Sequence, residues 1–192
     1  MWRRDVRHFR SDPVSAEVLE TLLAAADLAP SVGLSQPWRF VVVDEVARRA
    51  AIRANFERAN AKALAGQGAE RAKLYAGLKL AGLDQAPCHL ALFVEPDPEQ
   101  GHGLGHATMP ETLAYSAVMA LYNVWLSACA VGLGLGWVSI LDPVGVAAAL
   151  DVPAEWIFIG YFCVGVPAEM ACVPELERLG WETRRASVIL QR

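Results

Sequence analysis

Alternating helical and strand-like patterns predict a single α/β or α+β sandwich domain over residues 1–192. Three observations carry that reading. Apolar residues at helical spacing exchange with short β-branched runs along the whole chain, with no internal repeat and no interdomain linker. The chain is 54% hydrophobic and 20% charged at 20.8 kDa, enough to bury one full core. An uncharged stretch from Thr112 to Leu141 must lie inside that core or against another molecule.

The first helix is signalled by Ser15 as N-cap and by Val18, Leu19, Leu22, Leu23 and Ala26, running toward Pro30. A turn, SVGLSQPW, leads into a buried strand over Arg39–Val43. Residues 45–64 carry charge at helical spacing and read as a solvated, mobile helix. Gly66 and Gly68 break it, and a further helix over 69–83 precedes the strand CHLALFVE. The segment 96–110, rich in Gly, His, Pro and acid, is too long for a simple turn, so it is either functional or poorly ordered. A long apolar helix, the strand LGWVSI, a short helix over 144–150 and the strand WIFIGYFCVG complete the pattern.

The uncharged stretch is long enough to cross a bilayer. Ser116, Asn123 and Ser127 interrupt it, Gly132, Gly134 and Gly136 end the helix near residue 131, and no Lys or Arg flanks it. It therefore reads as a buried helix and strand, with no membrane role. A helix apolar all round is hard to cover within 192 residues, so a homodimer with a large apolar interface is expected. Four cysteines without a C-x-x-C pair fit buried thiols in a reducing cytoplasm, and the N-terminus shows no signal peptide.

Charge is distributed unevenly. Between Lys79 and Arg178 there is no Lys or Arg, while the same stretch holds eleven Asp and Glu. With 17 basic against 21 acidic residues overall, the chain lacks the basic excess of a nucleic-acid binder. Arg3, Arg4, Arg7 and Arg10 cluster at one end, and Arg178, Arg184 and Arg185 at the other. Brought together by the fold, they form an anion site; left apart, they are solvated terminal charge. Arg3 and Arg7 converge whether the segment is extended or helical, and guanidinium groups suit bidentate phosphate capture.

Other motifs are weaker. The turn around Ser31 and Gly33 lets backbone amides approach a flat ligand, or simply joins a helix to a strand. The series Gly132-x-Gly134-x-Gly136 precedes a strand, so it is no dinucleotide fingerprint and serves close packing or close ligand approach. Ser139 at the strand end reaches toward a pocket without the partners of a hydrolase triad. His102 and His106 lack a third ligand in any recognisable spacing, so no metal is assigned. Lys79 is a further ligand-binding candidate, its alternative being an exposed helical lysine.

Four segments in order, RRDVRHF, APSVGLSQPWRF, YSAVMALYNVWLSACAVGLG running into LGWVSILDP, and PELERLGWETRR, resemble the nitroreductase-like flavoproteins. More narrowly they resemble the 5,6-dimethylbenzimidazole synthase branch. The resemblance implies an α+β sandwich with a central, mostly antiparallel sheet flanked by helices, forming an interlocked homodimer with FMN at the subunit interface. It places Arg3, Arg4, Asp5, Val6 and Arg7 on the flavin, Ser31 and Gly33 against it from the other subunit, and Arg184 on its phosphate.

Two departures from ordinary nitroreductases, Asp5 in place of Ser and Leu34 in place of Asn, suit that branch. Relatives of this type usually carry a helical segment before RRDVR, where Met1 and Trp2 stand here. The activity implied is oxygen-dependent fragmentation of reduced FMN to 5,6-dimethylbenzimidazole and erythrose 4-phosphate, which supplies the lower ligand of cobalamin. NAD(P)H or a separate flavin reductase would supply the electrons. Asp5 is the expected general base or proton relay, Ser139 a hydrogen-bonding group near the reacting ring, and residues 60–75 a lid. The rivals are an NAD(P)H-dependent nitroreductase or flavin reductase that retains FMN, and a non-catalytic flavin-binding dimer.

Overall fold

The computed structural model describes residues 3–66 and 81–192. Lys79, most of the helix expected over 69–83, and residues 67–75 of the expected lid lie outside the described residues.

Among the described residues four strands form one sheet in the order β1-β2-β4-β3, with every strand pairing antiparallel. β1 is Trp38–Val42, β2 Cys88–Val94, β3 Gly134–Val138 and β4 Ile157–Gly165. Antiparallel pairing decides for α+β over the parallel α/β alternative. Each strand falls within a residue or two of its expected position, and the shift matters at β3. That strand stops at Val138, so Ser139 lies just past the sheet and is exposed.

β2 is buried along its whole length, which explains its near-continuous apolar sequence. Leu90, Leu92 and Val94 face one core with Leu22 and Trp38, while Ala91 and Phe93 face a second core with Ile52, Val146 and Tyr161. The first core is closed by α1 (Ala16–Ala24) and α4 (Thr112–Ala130), the second by α2 (Val46–Ala65) and α5 (Pro143–Leu150). Two short helices, α3 (Gly82–Gln85) and α6 (Glu175–Arg178), complete the described elements. α1 is capped as expected, Ser15 Oγ accepting the Val18 amide at 3.3 Å, but it stops at Ala24 and tightens into a 3-10 turn over Ala25–Leu28.

α2 corrects the expectation of a merely solvated helix. Ile52 and Asn55 are buried, and Arg49 donates to the carbonyls of Val43 and Pro87 at 2.6 and 3.0 Å. Its charge includes guanidinium groups that cap backbone carbonyls of neighbouring segments.

α4 has the length and composition to cross a bilayer, yet it is a core helix. Eight of its residues, including Leu113, Leu121, Val124 and Trp125, are buried, while Tyr115, Val118, Met119 and Tyr122 stay exposed on the face away from the sheet. Of the four cysteines, all free, Cys88 and Cys163 are buried and Cys129 partly so. Cys172 departs from the expectation and is exposed.

Candidate functional site

The basic N-terminal segment is laid along the edge of β3. The Val6 amide donates to the Leu135 carbonyl at 2.9 Å, and the Trp137 amide donates to Asp5 Oδ1 at 2.9 Å. The β3 glycines make this possible. A Cβ at Gly136 would sit 2.0 Å from the Val6 carbonyl oxygen and one at Gly134 2.5 Å from Val6 Cγ2, so the backbones meet only without side chains there. Gly132, at φ +80°, instead terminates α4. The glycine series is therefore a packing device.

Once docked, the segment displays its arginines. The Arg3 guanidinium stacks 4.9 Å from the centre of the Trp125 ring, whose indole N–H donates to the Arg4 carbonyl at 3.2 Å. Arg4 donates to the carbonyls of Arg3 and Cys172, leaving its buried Nε without an acceptor. Arg7 lies 3.5 Å from Asp5 Oδ2 with its side chain only 13% exposed. Arg4 and Arg7 share a cleft with His8, Glu169, Glu175 and Arg178. The fold thus brings one C-terminal arginine to the N-terminal cluster, but it is Arg178. Arg184 lies in the exposed 182–192 tail and forms no hydrogen bond or ion pair among the described residues, while Arg185 faces Glu182 at 3.8 Å.

Burial raises the Asp5 carboxyl pKa above its ordinary 3.8, against the opposing pull of the Trp137 amide and the Arg7 and Arg3 charges. The Asp5 side chain keeps 38% of its surface open, so the carboxyl is reachable from the groove side while it faces Arg7.

Beside this strip an apolar groove of about 270 Å³ is lined by Val118, Met119, Tyr122, Trp125 and Trp137. One chain therefore offers an open apolar wall beside an arginine strip.

The turn expected to touch the ligand lies at the other end of α4. The Val32 amide donates to Ser116 Oγ at 3.0 Å, and the Gln36 amide to Ser31 Oγ at 3.1 Å. Gly33, Leu34 and Gln36 all have positive φ. A Cβ at Gly33 would meet the Leu104 carbonyl oxygen at 2.8 Å, and Gln100 Nε2 donates to the Leu34 carbonyl at 2.6 Å. The 96–110 segment is thus folded onto the turn. Ser116 and Trp125 are nine residues apart, about 13.5 Å along the helix. A single chain does not bring Ser31 and Gly33 to Arg3.

The Nitroreductase family model matches residues 1–166. The chain belongs to the nitroreductase family. Within the family it is 60% identical over 191 residues to 5,6-dimethylbenzimidazole synthase of Rhodospirillum rubrum, across 100% of this chain and 90% of that protein. It is 50% identical over 181 residues to the synthase of the same name from Rhodobacter capsulatus, across 94% of this chain and 87% of that one. An NADH dehydrogenase of Thermus thermophilus is 32% identical over 181 residues, 87% of this chain and 84% of that protein. Among solved structures, iodotyrosine deiodinase bound to FMN and 3-iodo-L-tyrosine superposes with a TM-score of 0.77 at 24% identity, covering 99% of this chain and 94% of that one. A BluB-like flavoprotein of Clostridium difficile gives 0.70 at 21% identity, over 98% and 95%. The antiparallel α+β architecture of this nitroreductase family chain agrees with both.

Sequence reasoning missed Trp125 and Trp137 as site components, whereas it singles out Arg178 with the C-terminal arginines. The two tryptophans read as core because both sit in the uncharged stretch. Only the pairing of a glycine series with an aromatic, GLGLGW, marked where a second backbone segment docks.

Proposed function

We propose that this chain uses O2 to fragment reduced FMN to 5,6-dimethylbenzimidazole and erythrose 4-phosphate, supplying the lower ligand of cobalamin. The observation that carries the reading is 60% identity along the whole chain to a protein of that name. The residues present also fit the ligand. A flat, anionic, acceptor-rich molecule suits an arginine strip beside an aromatic groove, and the buried Arg4 Nε lacks an acceptor. Reduced FMN, when bound, supplies both the ring carbon of the product and the electrons that O2 takes up.

The chain's own residues hold and orient it. Arg3, Arg4 and Arg7, with Val6 between them, present donors to the phosphate, ribityl chain and pyrimidine edge. Lys79 is a further contact from outside the described residues. Asp5 holds or releases a proton at its carboxyl, and Ser139 donates a hydrogen bond near the reacting ring. Ser31 and Gly33 close the site from a second copy. That arrangement needs a homodimer, for which the exposed face of α4 is the candidate surface, and it lets Arg184 arrive from the partner's tail. NAD(P)H, directly or through a separate flavin reductase, provides the electrons, and the free thiols fit a cytoplasmic setting.

Chemically reduced FMN is mixed with the purified protein, air is admitted, and 5,6-dimethylbenzimidazole is sought by mass. Its absence, with FMN returned intact, overturns the reading. The similarity to an NADH dehydrogenase favours a second reading, an NAD(P)H-dependent reductase that keeps its flavin. Such an enzyme purifies yellow and oxidises NAD(P)H steadily, whereas a flavin-consuming one destroys its flavin in air.

A further inference from the structure

We propose that Asn55 is a positioning residue for Ser139, acting through Asp142; the inference rests on the role given to Ser139 above. Ser139 forms no hydrogen bond through its side chain among the described residues, so its place is set by the backbone anchors on either side. On one side is the end of the sheet, where Val138 pairs with Tyr161. On the other, three residues on, is Asp142.

Asp142 is gripped by one side chain. Asn55 Oδ1 accepts the Asp142 amide at 2.8 Å, and Asn55 Nδ2 donates to the Asp142 carbonyl at 3.0 Å. Both backbone groups of one residue are met by one amide, as a facing strand residue would meet them. The Asp142 carboxylate in turn accepts the Gly145 amide at 3.1 Å and caps α5. A Cβ at Gly145 would stand 2.5 Å from Asn55 Nδ2 and 3.0 Å from Asp142 Oδ2, so the clamp closes only over a glycine.

Asn55 is 2% exposed on a helix whose other buried residue is Ile52. An apolar residue would fill that space without needing partners. The amide is the group that ties α2 to the segment carrying Ser139.

The test uses Asn55→Asp, which keeps the acceptor and loses the donor, and Gly145→Ala, which pushes on the same clamp while leaving its chemistry intact. In the flavin-free protein, the Asp142 amide, which Asn55 accepts, should exchange hydrogen faster while the amides of β2 and β4 do not change. With reduced FMN and O2, the benzimidazole formed per flavin consumed should fall roughly tenfold to a hundredfold. Combining either variant with Ser139→Ala should bring no further fall, because both act on one group. Where Asn55→Asp does not fold, Gly145→Ala carries the same comparison. Independent, additive losses overturn the clamp while leaving the role of Ser139 standing. Full yield from Ser139→Ala overturns that role and the clamp together.

Discussion

The Trp137 backbone amide donates to Asp5 Oδ1 at 2.9 Å while Asp5 Oδ2 faces Arg7 Nε at 3.5 Å, so one carboxylate both fastens the N-terminal segment to β3 and balances an arginine beside the groove. The two duties can be separated. An asparagine keeps the oxygen that accepts the Trp137 amide and loses the titrating group. Asp5→Asn should therefore fold and bind reduced FMN, yet form little benzimidazole. Asp5→Ala should also lose stability, by about 1–3 kcal/mol, for an amide left without its acceptor. Product mass and thermal melting measure the two effects, and near-wild-type yield from Asp5→Asn removes the proton-transfer role.

The same carboxyl predicts a pH signature. Burial raises its pKa above 3.8, so the folded chain holds this proton more tightly than the unfolded chain. The resulting stabilisation is complete below the unfolded pKa and is lost as pH rises through the folded one. Asp5→Asn, which never ionises, should accordingly gain on the wild type in urea unfolding as pH rises through the titration of the folded carboxyl. A difference that runs the other way would show that the arginines outweigh burial.

His89 predicts the opposite slope. It is buried, its Nδ1 lies 2.9 Å from the Tyr161 hydroxyl, and burial depresses its pKa from 6.5 to about 4. Stability should be full above pH 6.5 and fall as pH drops toward 4, by at most about 1.4 kcal/mol per pH unit. His89→Gln can still hydrogen-bond but cannot titrate, so it should flatten that part of the profile. Equal slopes in the two proteins would dismiss His89 as the source.

Leu34 holds a left-handed backbone, φ +55°, and is 67% exposed, so its side chain gains little burial among the described residues to offset the strain. Asparagine accepts that conformation readily. Leu34→Asn should stabilise the flavin-free chain by about 1 kcal/mol, or roughly 2–4 °C in melting temperature. An unchanged or lower midpoint would locate a compensating contact for the leucine.

Much of the fold was legible because the apolar period changes from helical to strand-like at each element. Ser15 read as the cap of α1 and CHLALFVE as a strand for local reasons, and burial along all of β2 came with the fold. The site was only partly legible. Arg3, Arg4 and Arg7 were conspicuous by charge, but what displays them is contact across the chain: Gly134 and Gly136 against Val6, and Trp125 beneath Arg3. Asn55 was invisible because an asparagine in a charged helix looks solvated until its partner, 87 positions on, is known. The exposure of Cys172 and the choice of Arg178 among the C-terminal arginines to line the cleft likewise depend on the path after β4, which carries no periodic signal.

The exposed face of α4 leads to the last prediction. Tyr115, Val118, Met119 and Tyr122 recur at helical spacing on one side, with exposures from 39% to 58%, beside a groove that one chain leaves open. The tail beyond Trp181 is exposed throughout and carries Val188, Ile189 and Leu190 between basic residues. Two apolar surfaces on one chain, a face and an arm, are what the proposed homodimer would use to have each copy grip the other. Met119→Glu places a charge in the middle of the face, and deletion of residues 182–192 removes the arm. Light scattering should find dimers of the parent chain and a shift toward monomer in both variants. FMN binding should fall with the dimer, because the proposed site takes Ser31 and Gly33 from the second copy. A monomeric variant that binds FMN at full affinity would place the whole site within one chain and remove the reason for the dimer.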